Sequence, residues 1–125
     1  MMYLMIVIEN GGGAPVMGNI QTAIERLVPS LQKIFGSSLK SVILYGSVAR
    51  GTQTDESDVD VAVIVKDYTE EMHDQMINLT VDLDLDYGCV LSVLLIEKEQ
   101  FEEWGDILPF YVNMKKEGQV LWNAA

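Results

Sequence analysis

The stretch LYGSVARGTQTDESDVDVAV, residues 44–63, decides how this chain is read. Asp58 and Asp60 stand one residue apart at the head of an otherwise apolar run that continues to Val65. On a β-strand successive side chains face opposite ways, so the two carboxylates share a face while Val59 points back. Like charges so placed repel each other and lose hydration. A divalent cation relieves both costs, and Mg²⁺ favours one or two carboxylates completed by phosphate oxygens. Two such ions about 4 Å apart can activate an attacking oxygen and steady a leaving phosphate. Upstream, Gly46 ends the apolar run LKSVILY. Its missing side chain lets a phosphate approach the backbone, and Ser47 adds a hydroxyl and an N–H at a helix start. VAR supplies about one turn, which Gly51 ends, and Arg50 faces either the phosphates or a surface ion pair.

The rest of the composition limits the context. A chain of 125 residues that is 49% hydrophobic builds one domain with a real core. Its formal charge of −11 repels nucleic-acid backbones and anionic lipid, and it suits a basic protein partner or divalent cations. Cys89 is a lone cysteine, compatible with a reducing cytosol, and a cytoplasmic location is the expectation. The opening MMYLMIVIENGGGAPVMG has no basic flank, and its apolar run is too short for a membrane span. Residues 1–16 read either as a tail ahead of a start at Met17 or as a strand packed elsewhere. Residues 17–125 read as the domain.

From Asn19 the spacing of Ile20, Ile24, Leu27, Leu31 and Ile34 predicts a helix, kinked or split at Pro29 and ended by Gly36. LKSVILY predicts a buried strand, and residues 58–65 a second strand covered on both faces. Asp67 and Glu70 fit a capping box for a helix from Thr69 to about Asp86, closed by Gly88. CVLSVLLI is a third strand, with Cys89 at its start as a small hydrophobe. EKEQFEEW and LPFYVNMKKEG read as two further helices, and QVLW as a short strand or packed tail. DLDLDYG has Tyr87 where a calcium loop needs glycine, so it reads as a helix end with solvated acids. The aromatics Phe101, Trp104, Phe110, Tyr111 and Trp122 read as core or as an assembly face. The expected class is α/β (α+β), a small mixed sheet flanked by helices.

Ten residues, 48–57, separate Ser47 from Asp58, giving Gly-Ser-x10-Asp-x-Asp. GSVARGTQTDESDVDVAV resembles the signature of the DNA-polymerase-β-like nucleotidyltransferases. With ARG after GS and SD before the second acid, it is most similar to the minimal nucleotidyltransferase branch. The resemblance implies a transfer dependent on Mg²⁺ (or Mn²⁺), usually of AMP from ATP or of another nucleotide from its triphosphate, to a hydroxyl. It implies that Gly46 and Ser47 hold the triphosphate and that Asp58 and Asp60 bind the metal. Active relatives usually carry a third carboxylate on the next strand as the base that deprotonates the acceptor. Here that position is Ser92, which can neither take a proton at neutral pH nor replace a carboxylate ligand. Asp86 and Glu97 are the nearest other acids, both poorly placed. Proteins of this kind are often paired with a small helical HEPN protein as the antitoxin of a toxin–antitoxin system, in which the acceptor is a tyrosine of the toxin. The resemblance therefore leaves two expectations: an adenylyltransferase acting on such a partner, or a catalytically weakened antitoxin-like binding module.

Overall fold

In a computed structural model, residues 14–51 and 58–124 are described; residues 1–13, the loop 52–57 and Ala125 lie outside the described residues. The chain runs α1 (Ala14–Phe35), β1 (Leu39–Tyr45), α2 (Gly46–Arg50), β2 (Val59–Val65), α3 (Glu70–Tyr87), β3 (Leu91–Glu97), α4 (Lys98–Trp104), α5 (Pro109–Glu117) and β4 (Gln119–Asn123). The four strands form one sheet in the order β3-β2-β1-β4. β1 runs antiparallel to β2 and β4, whereas β2 and β3 are parallel, joined by α3. The sheet is therefore mixed and the class α+β, as the pattern of residues predicts.

Alternation along β2 sorts the core into two halves. Val59, Val61, Val63 and Val65 face α1 and α3, where they are fully buried with Leu27, Leu31 and Phe35 of α1 and Leu83 of α3. Ala62 and Ile64 face the other way, against Ile96, Tyr111 and Met114. Asp60 has the parity of Ala62 and Ile64, which puts it on the face covered by α4 and α5.

Three local expectations are corrected. Of the two outcomes expected at Pro29 the split is excluded, because α1 is one continuous helix with the proline inside it. An interior proline costs about 3 kcal/mol. Six large apolar side chains of α1, Ile20 to Phe35, are no more than 3% exposed. Their burial, at roughly 1.5–3 kcal/mol each, outweighs that cost. The helix also reaches back to Ala14, so residue 17 lies in its first turn.

The cap of α3 is Thr69, whose side chain accepts the Met72 N–H at 3.1 Å, rather than Asp67 with Glu70. A hydroxyl three residues before its donor closes this ring, and Asp67 sits two residues too early, at φ 57°. Cys89 lies two residues ahead of β3, half-buried, and does not start the strand. The helix end at DLDLDYG is confirmed, and its acids are used structurally. Asp84 Oδ1 accepts the Leu91 N–H at 2.8 Å, and Asp86 pairs with Arg26 at 3.6 Å.

Candidate functional site

The pairing register lines up one row across three strands. Tyr45 is opposite Asp60 on the β1 side, and Ser92 is beside Asp60 on the β3 side. Gly46 directly follows Tyr45 and turns the chain into α2 with φ +76°, a left-handed conformation that favours glycine. Glycine is required for a second reason as well. A Cβ built on Gly46 would overlap Asp60 Oδ2 and stand 3.0 Å from its Cγ. The Gly-Ser turn and the Asp-x-Asp strand are thus one packed unit, with the Asp60 carboxyl lying against bare glycine backbone.

The turn is held from three sides. Val48 is buried to 1% exposure. Gly51 N–H returns to Val48 O at 3.2 Å. Gln119 Nε2 donates to Ala49 O at 3.3 Å, tying α2 to β4. Ser47 is half-buried at the start of this turn, and Asp58 is exposed immediately before β2. Arg50 is exposed, with Nη1 3.5 Å from Glu117 Oε2. It therefore makes the surface ion pair while standing beside the same turn.

The Asp60 carboxyl is set by its surroundings. Burial first, and then the Asp58 charge, push the Asp60 carboxyl above its ordinary range, while Arg50 partly offsets them. Tyr45 is raised as well, by burial and then by Asp60. In both groups burial is the larger cause, and the neighbouring carboxylate adds to it.

Other residues complete the setting. A cleft of about 260 Å³ opens beside the turn, lined by Tyr45, Gly46, Arg50, Phe110, Asn113 and Glu117 among others. The Tyr45 and Phe110 rings meet edge to face, centroids 5.6 Å apart. Sequence reasoning did not assign Tyr45, Asn113 or Glu117 to this place, and it read Phe110 as core or an assembly face. Adjacency to Gly46 was a usable signal for Tyr45. The residues of α5 carry none, because only tertiary packing brings that helix here. Glu97 pairs with Val65 at the far end of the strands, and Asp86 is engaged with Arg26, so neither reaches the row. Ser92 does stand in the row and is exposed. Among the described residues no cluster of three His, Cys, Asp or Glu side chains is arranged for a metal.

A mixed sheet with a Gly-Ser turn packed onto an Asp-x-Asp strand defines the nucleotidyltransferase class of fold. The family model for the nucleotidyltransferase domain matches residues 24–119. The putative protein adenylyltransferase MJ0604 of Methanocaldococcus jannaschii is 36% identical over 107 residues, 83% of this chain and 99% of that protein. A putative nucleotidyltransferase from Sulfolobus solfataricus has a similar structure, with TM-score 0.56, 16% identity, and coverage of 92% of this chain and 93% of that one. A chain in the complex of tri-AMPylated Shewanella oneidensis HEPN toxin with MNT antitoxin is also similar. It has TM-score 0.50 and 17% identity, with 83% of this chain and 72% of that one covered. The chain belongs to the nucleotidyltransferase domain family.

Proposed function

We propose that this chain is an adenylyltransferase that moves AMP from ATP to a hydroxyl on a HEPN-type partner protein. The observation that carries the reading is the packing of Gly46 against Asp60, which joins the Gly-Ser turn and the Asp-x-Asp strand in one packed unit. The family match and the protein adenylyltransferase relative support the reaction type. The HEPN toxin complex among the similar structures supports the partner. The charge of −11 suits a basic partner.

In this reading Gly46 and Ser47 hold the triphosphate, with Arg50 released from Glu117 to face it. Asp58 and Asp60 hold Mg²⁺ or Mn²⁺. The donors fit such an ion, being hard carboxylate oxygens on one strand face, and it would reverse both influences that raise Asp60. When bound, the metal supplies charge neutralisation at the reacting phosphate. Tyr45 and Phe110 close the cleft on its apolar side and limit water there. A nucleotide left in this site loses pyrophosphate when the acceptor oxygen bonds to the α-phosphorus.

The second reading is a binding module of the same fold with weakened catalysis. Ser92 favours it, since the residue directly beside Asp60 on β3 offers no carboxylate to take the acceptor proton. Incubation with a HEPN-type protein, Mg²⁺ and ATP labelled on either the α- or the γ-phosphate separates the two. Label on the partner from the α position alone is expected. Label from the γ position would mean phosphoryl transfer, and no label despite complex formation would leave the binding module.

A further inference from the structure

A second cavity, of about 590 Å³, lies on the same face of the sheet as Asp60 but at the other end of the strands. Its floor includes Ile43 of β1 and Ile64 of β2. Ile64 is four residues beyond Asp60, roughly 13 Å along the strand. Three lysines, Lys40, Lys98 and Lys115, converge on it, against a single acid in the lining, Glu102. The whole chain has only eight Lys and Arg against nineteen acids. A surface with that balance repels anions, so a net positive, apolar-floored hollow is a local reversal of the protein's field.

One of the three ammonium groups already has neighbours at the surface. Lys115 Nζ lies 5.2 Å from the centroid of the Phe101 ring and 3.3 Å from Asp106 Oδ1. It passes over Gly105, where a Cβ would stand 2.8 Å from Lys115 Cε. A side chain at residue 105 would displace the flexible end of this lysine. Lys98 is 3.5 Å from Glu102, and both side chains remain well exposed, so this pair is weak and its lysine can turn to a ligand. Phe101 and Met114 add aromatic and thioether surface.

We infer that this cavity binds an amphiphilic anion, a carboxylate, sulfonate or phosphate carried on an apolar or aromatic body, at a site separate from the Gly46–Asp60 centre. The charged end lies among Lys40, Lys98 and Lys115, and the body covers Ile43, Ile64 and Phe101. Met114 walls both this cavity and the cleft beside Gly46, and α5 carries residues of each. An occupant is therefore in contact with the helix that bounds the transfer site.

The test is an NMR titration of the nitrogen-labelled full chain with anilinonaphthalene sulfonate, a flat apolar body with one negative group. Amide shifts centred on Ser41, Ile43, Phe101 and Val120 are expected. In Lys40→Met with Lys98→Met, both half-buried positions at the surface, affinity falls at least tenfold with an unchanged melting temperature. Raising salt in the wild-type chain reduces affinity in the same direction, a check independent of folding in the variants. Asp60→Asn leaves the probe's affinity unchanged, which separates this site from the transfer centre. Inorganic phosphate alone binds at least tenfold more weakly, because it leaves the apolar floor uncovered. Shifts centred on Gly46, equal affinity in the double lysine variant, or no binding would each overturn the inference.

Discussion

Replacing Gly46 by alanine probes the joint between the turn and the acidic strand. Two costs follow from the structure. The φ of +76° puts an L-residue in the left-handed region, at about 1–2 kcal/mol. The new Cβ also occupies space held by the Asp60 carboxyl, which must rotate off its preferred angle at about 0.5–1.5 kcal/mol. An unfolding entropy of about 2.1 cal/mol/K per residue means that each kcal/mol lowers the melting temperature of a chain this size by about 4 °C. Gly46→Ala should therefore melt about 6–14 °C lower. In an Asp60→Ala background the second cost largely disappears, leaving a residual contact of 3.2 Å at the Asp60 Cβ and a drop of about 4–8 °C. Differential scanning fluorimetry of the four proteins completes the cycle. An unchanged melting temperature in Gly46→Ala, or a cost that Asp60→Ala does not reduce, would refute the claim that the turn and the strand are one unit.

Asp60→Asn should stabilise the metal-free protein at pH 7 while abolishing metal-dependent transfer. Because the folded carboxyl titrates above its unfolded range, the folded state binds more protons in that interval, so stability falls as pH rises through it. The gain should be modest, on the order of 0.5 kcal/mol for two charges one strand repeat apart in water, and absent at pH 3, where both states are protonated. An equal gain at both pH values in thermal melts would remove the charge explanation. Ser92→Asp places a carboxylate beside Asp60 and should raise AMP transfer at least tenfold, the lower range of general-base effects being larger still; an intact fold with unaltered rate contradicts the role given to that position. Thr69→Ala should cost about 1 kcal/mol through loss of the α3 cap, whereas Asp67→Gly should stabilise by up to about 1 kcal/mol by relieving a positive φ. Chemical denaturation showing the reverse order would return the cap to Asp67.

The features legible in the sequence were those set by neighbours along the chain. The strands came from apolar runs, the first of them stopped by Gly46, and the expected pairing of Asp58 with Asp60 came from alternation over two residues. The resemblance pointed to Ser92 as the residue of the next strand that faces the site, and the register sets it beside Asp60. Where a local rule competed with packing, the sequence misled. Pro29 breaks isolated helices, yet α1 buries enough surface to absorb it. Asp67 looked like a cap because residue type alone cannot distinguish it from Thr69 two positions on. The α5 side of the cleft was not legible. Phe110, Asn113 and Glu117 reach Gly46 only because β4 returns alongside β1 and carries α5 over the sheet. Lys40, Lys98 and Lys115 are likewise scattered along the chain and converge only in the fold.

The central claim is that the Gly46 turn and the Asp58–Asp60 strand together bind a metal–nucleotide complex. Calorimetric titration of ATP into the full chain, once with Mg²⁺ and once with EDTA, tests it most directly. The account predicts binding with Mg²⁺ that EDTA removes and that Asp58→Ala with Asp60→Ala abolishes. ATP binding of equal strength with EDTA, or in the double variant, would contradict it.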